Sequence, residues 1–555
     1  MLRSLLLFVL VAAAIGGVWY GMGRPVAMPP SPLAEGERLD CISYAPFHGD
    51  QAPYVPPRHS LDSQIAEDLG RLSHVTSCVR TYSAAELQDK ITDLAGQYDL
   101  KVLQGIWLGR DRADNRREIE AALELARRYP GVIQAFIVGN EALLRAELSP
   151  TDIKDYLQEV RQRSGLPVTY ADVWEFWLKA PELANAVDFV TIHILPYWED
   201  EPVGAQDAVA HVREIRGKVA SAFPGKEILI GEVGWPSQGR MRAGALPSPA
   251  NQARVLAGVV KAAKEAGWKV NLIEAYDQPW KRLLEGTVGG YWGLFDDLTR
   301  APKFHWGEPV SNHPRWRLEA GLGIGAAFLV FLAGWLGGRR PPARDARTNF
   351  ATATIALGAG LVFGWAVVNS PMEGFELGDR LRALALLGLA LAVPALASFA
   401  LARGTALPSF ALAMNPPLWR RADRLGVLVA FLLVATVVAA IHVALGLVFD
   451  PRYKDFPFAA LTGPVAALAV LAFAAERPLS GPAPATGGAE IAVAALLTGS
   501  ALFVVVNEGV ANWQALWFAA LLLLLSLTAL RTQAVAWAPS VFRTRAVLRA
   551  RPAPD

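Results

Sequence analysis

The stretch AFIVGNEALLRAELSP, residues 135–150, decides the fold. Its apolar run ends at Val138 and Gly139, and an asparagine and a glutamate, Asn140 and Glu141, then stand side by side. Polar residues at the end of a buried strand are typical of the catalytic face of a parallel α/β barrel, which is built from the carboxyl ends of the strands. The pattern therefore predicts a strand that ends in functional side chains.

Similar apolar runs recur between residues 39 and 306 and alternate with amphipathic, charged stretches. Ser149 and Ser248, each followed by proline, are typical helix starts. Eight strand–helix units in about 270 residues are what a (β/α)8 TIM barrel requires, and we expect one over residues 39–312. The predicted strands lie in residues 41–47, 74–83, 100–109, 131–141, 166–174, 187–198, 227–235 and 270–280.

Beyond the barrel the composition of the chain changes. The whole chain has 555 residues and a net charge of +2, which argues against a nucleic-acid partner. From Leu318 onward, Ala, Leu, Val and Gly dominate, and we expect an all-α multi-span transmembrane domain over residues 315–531. It is either an anchor in the lipid bilayer or a groove for a polymer. Its apolar blocks cover residues 318–337, 350–368, 383–401, 425–448, 458–475, 491–506 and 513–530.

The first 23 residues form another apolar segment, followed by a linker over 24–38. The segment is a cleaved signal or a retained anchor, and the lack of a small-x-small cleavage site before Met22 favours the anchor. Arg-rich loops mark the cytoplasmic side of a membrane. The loops 337–349 and 416–424 and the tail 532–555 are basic, the loop 369–379 is acidic, and the loop 476–490 carries a single Arg. This alternation predicts a bacterial inner-membrane protein with a periplasmic barrel and a cytoplasmic tail.

A second glutamate, Glu232, follows the seventh run in LIGEVGWPS. Strands four and seven face each other across the mouth of a barrel, so Glu141 and Glu232 can form a pair. A retaining glycosidase needs one carboxylic acid and one nucleophilic carboxylate about 5–5.5 Å apart. One such glutamate alone is more often a surface ion-pair partner, but the pair, with Asn140 beside it and Trp235-Pro236 after it, indicates catalysis.

VGNEAL and GEVGWPSQG together resemble glycoside hydrolase family 17, the β-1,3-glucanases and β-1,3-glucanosyltransferases, over residues 41–297. The chain looks most similar to the bacterial membrane-bound branch, whose members often act as transferases. The resemblance implies that Glu141 is the acid/base, that Glu232 is the nucleophile and that Asn140 contacts the sugar 2-hydroxyl. It implies no metal and no organic cofactor.

Further substrate contacts rest on weaker matches. EAYDQPWK resembles the eighth-strand motif of the family, in which Lys281 fits the lysine and Gln278 stands where many members carry a glutamate. That departure would remove one negative charge near the pair. Tyr197 and Trp198 match the aromatic beside the cleaved sugar, and Tyr44 matches the first-strand tyrosine.

Tryptophans follow or end several predicted strands, and flat rings can stack on the apolar faces of sugars. Each could equally be core, but Trp235 and Trp292 are the foremost candidates for contact with glycan. The full set is Trp107, Trp174, Trp177, Trp198, Trp235 and Trp292.

Several other residues keep two interpretations. His193 could line the pocket or be a core histidine, and Arg80 could hold a catalytic carboxylate ionised. We assign Glu175, Glu274 and Glu285 positioning or salt-bridge roles at most. Cys41 and Cys78 lie on neighbouring strands, where an oxidising compartment permits a disulfide but the geometry is awkward.

The favoured function is a retaining transglycosylase acting on β-1,3-glucan at the outer face of the inner membrane, in a chain whose partner could be a glucan synthase. An endo-β-1,3-glucanase is the alternative within enzymes. A glucan-binding or export module would not need both glutamates. A synthase is disfavoured because no D-x-D with a Q-x-x-R-W partner is present.

Overall fold

The computed structural model describes residues 2–55, 60–85, 89–339, 345–414, 424–474 and 488–547, with side chains described as far as residue 532. These residues form two compact units. The first is Pro25–Val310, and the second joins Met1–Arg24 to Ser311–Asp555. Each unit is described by itself.

Eight parallel strands close the first unit into a barrel, with each strand paired to the next and the last paired to the first. The predicted TIM barrel is confirmed, because every predicted run overlaps one strand. The strands are β1 (Cys41–Ser43), β2 (Cys78–Arg80), β3 (Lys101–Ile106), β4 (Ile133–Asn140), β5 (Val168–Val173), β6 (Val190–His193), β7 (Ile228–Val233) and β8 (Lys269–Leu272).

The helices begin where local sequence signals predict. Ser149 and Asp152 form a capping box at the start of a helix whose first residue is Pro150, and the Ser248 side chain accepts from the Asn251 N–H. In chain order the described helices are α1 (Leu2–Met22), α2 (Asp62–Leu72), α3 (Asp89–Ala95), α4 (Arg112–Arg128), α5 (Pro150–Ser164), α6 (Trp174–Lys179), α7 (Ala208–Ala222), α8 (Pro249–Ala266), α9 (Arg282–Gly289), α10 (Trp316–Gly337), α11 (Ala346–Glu373), α12 (Leu377–Ala402), α13 (Phe410–Ala413), α14 (Arg424–Phe449), α15 (Phe458–Ala474), α16 (Gly488–Glu508) and α17 (Trp513–Val547).

A disulfide joins Cys41 and Cys78 at the amino ends of β1 and β2. The strands pair Ile42 with Val79, so the two cysteines lie level with each other, and their Cα atoms are 4.4 Å apart. Adjacent parallel strands can therefore carry the bond here. The cysteines belong to a buried apolar cluster formed with Leu103, Ala135, Ile137, Ala171 and Leu229.

The strands that carry the glutamates are irregular near their carboxyl ends. The β4–β5 register shifts between Ile137 and Asn140, and the β7–β8 register shifts between Ile230 and Val233. Such irregularities re-aim side chains and are over-represented next to active sites. The register places His193 of β6 opposite Glu232 of β7.

The second unit is helical. Seven of its described helices are long and apolar enough to cross a membrane, and α15, at 17 residues, is shorter. Each predicted apolar block is helical over the residues that the structure describes. These helices make the chain compatible with a membrane protein. The predicted basic and acidic loops fall partly on residues 340–344, 415–423, 475–487 and 548–555, which lie outside the described residues.

Within this unit α1 packs closely against its neighbours. Ile15 and Trp19 are buried, and the Trp19 indole N–H donates to the Leu361 carbonyl at 3.1 Å. A Cβ on Gly360 would lie 2.5 Å from the Ile15 side chain. Small residues of this kind let membrane helices approach one another.

Candidate active site

Glu141 and Glu232 meet at the carboxyl ends of β4 and β7. One carboxylate oxygen of each lies within 4.8 Å of the other, close to the roughly 5–5.5 Å separation of retaining glycosidases. Glu232 is buried, and 24% of the Glu141 side chain is exposed. The mouth of the barrel therefore holds one enclosed and one accessible carboxylate.

The backbone turns sharply to place Glu141. Gly139 has φ +89° and Glu141 has φ +52°, a left-handed conformation that is uncommon for glutamate. A Cβ on Gly139 would lie 3.2 Å from the Tyr170 ring, so this position needs glycine for space as well as for φ. Left-handed residues other than glycine cluster at functional sites.

Arg80, at the end of β2, binds the enclosed carboxylate. Its Nη1 donates to Glu232 Oε1 at 2.9 Å and to the Gly231 carbonyl at 2.7 Å, and its Nη2 donates to Asn140 Oδ1. The expectation that Arg80 pairs with a carboxylate at this face is confirmed. One guanidinium thus fixes both Glu232 and the asparagine beside Glu141.

Tyr82 is a second donor to Glu232, and the sequence analysis did not single it out. Its hydroxyl donates to Glu232 Oε1 at 2.9 Å. Side chains two residues apart in extended backbone share a face, so its spacing from Arg80 was the available signal. Burial and the Glu232 charge raise the pKa of Tyr82 well above its usual value, which keeps the hydroxyl protonated.

The charges around Glu232 favour its ionised form. Burial raises the pKa of Glu232, but His193, Arg80 and Lys281 together with the Tyr82 hydrogen bond lower it further, and the net direction is down. Arg80 and Tyr82 both hold Oε1. Among the described residues no hydrogen-bond donor reaches Oε2, so this oxygen is left for attack.

His193 lies between the two glutamates. Its Nδ1 is 2.8 Å from Glu141 Oε1, and its Nε2 is 3.6 Å from Glu232 Oε1. Of the two interpretations, contact with the site is therefore the one the structure supports, although the ring is fully buried. The three side chains bring potential metal-ligand atoms together, but the guanidinium of Arg80 already pairs with the Glu232 oxygen.

The structure revises the reading of the eighth-strand motif. Lys281 donates to both carboxylate oxygens of Glu274, at 2.8 and 2.9 Å, so Glu274 supplies a carboxylate near the pair. Gln278 is buried and binds main chain, with Nε2 donating to the Ala45 carbonyl at 3.2 Å. Gln278 therefore presents no free amide to a substrate, and its predicted role in binding is corrected. Burial raises the pKa of Glu274, and Lys281 only partly opposes this.

Glu285 is a further carboxylate in this electrostatic environment. Burial raises its pKa to about 7; Lys281 lowers it, while Glu274, Glu141 and Glu232 raise it. Among the described residues it has no salt bridge within 4.0 Å, in contrast to Glu274.

Three of the predicted aromatic contacts are buried structural residues. The Tyr44 hydroxyl donates to Asp68 at 2.9 Å, the Tyr197 hydroxyl to the Arg240 carbonyl at 2.9 Å, and the Trp235 indole to the Leu246 carbonyl at 3.1 Å. None has exposed surface for a sugar, and their predicted roles in binding are corrected. The rings pack on one another instead, as Tyr197 does on Trp235 at 6.3 Å.

The remaining tryptophans differ in exposure. Trp292 is 3% exposed, and its indole nitrogen is buried and has no hydrogen-bond acceptor within the described part of the chain. Trp177 is core and donates to the Thr191 carbonyl. Trp198 and Trp174 are half-buried, and Trp107 is the most exposed, at 41%.

The barrel is similar to the model of a known protein family. Residues 41–293 match the model of the BtgE/BtgC glycoside hydrolase domain. The match covers all eight strands, Glu141, Glu232 and Lys281.

Curated relatives carry related names. A probable glucan endo-1,3-β-glucosidase of Aspergillus fumigatus is 27% identical over 285 residues, which are 46% of this chain and 41% of the relative. The chain thus spans about two fifths of that relative's length. A glucan 1,3-β-glucosidase of Saccharomyces cerevisiae is 24% identical over 260 residues, 42% of this chain and 82% of the relative.

Among solved structures, a glycoside hydrolase family 17 β-1,3-glucanosyltransferase from Rhizomucor miehei is similar at 23% identity and a TM-score of 0.42. The match covers 48% of this chain and 95% of that one.

Proposed function

We propose that the protein is a retaining β-1,3-glucan-active transglycosylase. One observation carries the proposal: Glu141 and Glu232 lie at the retaining separation, and Arg80 and Tyr82 hold a single oxygen of Glu232. A binding module has no need of a nucleophile whose charge is stabilised in this way. The relatives' names indicate β-1,3-glucan as the substrate class.

The reaction proceeds in two balanced steps. Glu232 Oε2 attacks the anomeric carbon, the glycosidic bond breaks, and Glu141 gives its proton to the departing oxygen. Glu141 then takes a proton from an incoming hydroxyl, which forms the new bond to the anomeric carbon and releases Glu232 as a carboxylate. His193, hydrogen-bonded to Glu141 Oε1, holds this group in place through both steps.

Three features support a location at the outer face of a bacterial inner membrane, with the barrel in the periplasm. The helical unit carries seven long apolar helices. The barrel contains the Cys41–Cys78 disulfide, which forms in oxidising compartments. Trp19 and Ile15 are packed within the helical unit, which supports a retained N-terminal anchor over a cleaved signal. A membrane-embedded glucan synthase is the proposed supplier of substrate.

The incoming hydroxyl belongs to a sugar in a transferase and to water in an endo-β-1,3-glucanase, which is the alternative function. We favour transfer because a membrane-held enzyme beside a polysaccharide source meets acceptor chains at high local concentration. The products would be elongated or branched β-glucan.

The test is incubation of the detergent-purified full chain with reducing-end-labelled laminari-oligosaccharides and mass spectrometry of the products. Products longer than the substrate are expected from the wild type. Glu232→Gln should lose at least about 10³-fold in rate. Only shorter products would make the protein a hydrolase. No product from the folded wild type would overturn the activity, and full activity in Glu232→Gln would overturn the nucleophile.

A further inference from the structure

Trp107 is the most exposed tryptophan at the catalytic face of the barrel. It directly follows β3, and 41% of its surface is open to solvent. Tyr197 and Trp235 at the same face are fully buried, and Trp292 nearly so. Trp107 therefore presents aromatic surface that these residues do not.

The indole is held rigidly from one side. The guanidinium of Arg145 lies 4.3 Å from the ring centroid, a cation–π contact. Arg145 is itself fixed, since it donates to the Leu108 carbonyl at 2.8 Å, to Glu147 at 2.9 Å and to the Asn140 carbonyl. One ring face is thus covered and oriented by Arg145.

The backbone beneath the ring is also fixed. Glu118 of α4 accepts from the main-chain N–H of Trp107 at 3.3 Å and from that of Ala84 at 2.9 Å. A side chain whose position is set before binding pays less ordering entropy when a ligand arrives.

The same contacts tie Trp107 to the acid/base glutamate. The β3–β4 register pairs Ile106 with Val138, which puts Trp107 level with Gly139, two residues before Glu141. Arg145 donates its main-chain N–H to the Glu141 carbonyl at 2.9 Å while its side chain holds the Asn140 carbonyl. Glu141 protonates the departing oxygen, so the sugar that carries this oxygen lies on the β4 side of the mouth, next to β3.

We infer that Trp107, backed by Arg145, is a stacking platform for the sugar that leaves from or arrives at Glu141, in a β-linked glucose oligomer. This inference rests on the proposed function and adds the subsite that selects a sugar over water in the second step. Stacking holds an acceptor hydroxyl at Glu141, whereas water gains nothing from the ring.

The test compares Trp107→Ala and Trp107→Phe with a matched control. Trp268 forms an equivalent pair with Arg216, at 4.6 Å, but precedes β8 and so lies at the opposite end of the barrel. Each full-length variant is incubated with labelled laminarihexaose, and the bond cleaved and the ratio of transfer to hydrolysis products are measured. Thermal unfolding shows that each variant is folded at the assay temperature.

Trp107→Ala should lower the transfer-to-hydrolysis ratio on the order of tenfold and change which bond is cleaved. Trp107→Phe should recover most of the ratio, and Trp268→Ala should keep the wild-type ratio and cleavage pattern. An unchanged ratio and pattern in Trp107→Ala, or an equal change in Trp268→Ala, would overturn the platform. If the wild type only hydrolyses, the change in which bond is cleaved is the sole test of the platform.

The two hypotheses fail differently. Oligosaccharide binding to Glu232→Gln and to Glu232→Gln/Trp107→Ala is measured by calorimetry. Wild type that cleaves nothing, with no binding to Glu232→Gln, would overturn the proposed function. An active wild type with equal binding to the single and double variants would overturn the platform alone.

Discussion

The two ends of the same eight strands both bury side chains, but the buried groups are chemically opposite. At the amino ends, the Cys41–Cys78 disulfide sits among Leu103, Ile137 and Leu229. At the carboxyl ends, the buried side chains include Arg80, Glu232, His193 and Glu274. Hydrophobic contact and a covalent link stabilise the first end directly. Charges at the second end cost desolvation that only their mutual pairing offsets.

The difference teaches that burial alone does not show what a residue contributes to stability. Within one barrel, apolar contacts and a disulfide stabilise the amino ends, and the carboxyl ends depend on a hydrogen-bonded network of charged groups. Substitutions at the amino ends should therefore change stability alone, whereas substitutions in the network should change both activity and stability.

The largest expected effect is at the carboxyl ends. Arg80→Met leaves Glu232 buried without its cation, so we expect at least about 10²-fold lower kcat/KM and about 3–5 kcal/mol lower unfolding free energy. Activity assays measure the first effect, and denaturant titration measures the second. Arg80→Lys keeps the charge but cannot bind Glu232 and Asn140 with two separate nitrogens. Its activity and stability should therefore lie between those of the wild type and Arg80→Met. Wild-type behaviour in Arg80→Met would contradict the network.

The amino ends should respond in stability alone. Cys41→Ser/Cys78→Ser should lower the unfolding free energy by about 2–4 kcal/mol with unchanged activity per folded molecule. A reducing agent should bring the wild type to the level of the variant and leave the variant unaffected. A large loss of activity below the unfolding transition would show that the two ends are coupled.

A smaller effect sharpens the role of the donor that the sequence analysis missed. Tyr82→Phe removes one hydrogen bond to a charged carboxylate, and we expect about tenfold lower kcat with little change in unfolding. Tyr156→Phe, which loses a hydrogen bond to Asn115 in the outer helical layer, is the matched control. Equal rates in Tyr82→Phe and the wild type would remove Tyr82 from the mechanism.

The smallest expected effect is a difference between the two ends of the barrel in how unfolding free energy depends on pH. Burial raises the pKa of Asp277, at the carboxyl ends, to about 7, although Lys303 lowers it. The folded state therefore holds the Asp277 proton more tightly than the unfolded state does. Its contribution to the unfolding free energy is complete below about pH 4, where the carboxyl group is protonated in both states, and is lost as pH rises through 7. Asp277→Asn should reduce the fall of unfolding free energy with rising pH by on the order of 1 kcal/mol per pH unit. Cys41→Ser/Cys78→Ser should keep the wild-type slope in denaturant titrations from pH 5 to 8. An unchanged slope in Asp277→Asn would remove Asp277 as its source.

The strands and the glutamate pair could be predicted because their signals are local. Apolar runs mark the strands, Ser149 and Ser248 mark helix starts, and Glu141 and Glu232 each end a run. The partnership of Cys41 with Cys78 depends on the β1–β2 register, which no single segment encodes.

Other parts of the site depend on packing between distant loops. Tyr82 gains its role from Glu232, which is 150 residues away in the sequence. Glu274 gains its role from Lys281, which is 7 residues away but meets it only because the loop after β8 folds back. An aromatic after a strand can cover a loop or face the cleft, and sequence does not distinguish Trp235, which is buried, from Trp107, which is exposed. The sequence therefore favoured Trp235 for contact with glycan, although Trp107 is the exposed ring.

The disulfide also leaves the oxidised chain without a reactive thiol. The sequence holds two cysteines, and both take part in the bond. A cysteine introduced at any exposed position would thus be the sole target for a maleimide probe, with no need for a cysteine-free background. Exposed positions at opposite ends of α11, such as Ala346 and Pro371, can be replaced by cysteine one at a time and labelled with a membrane-impermeant reagent in intact cells, which would show on which side of the membrane each end lies.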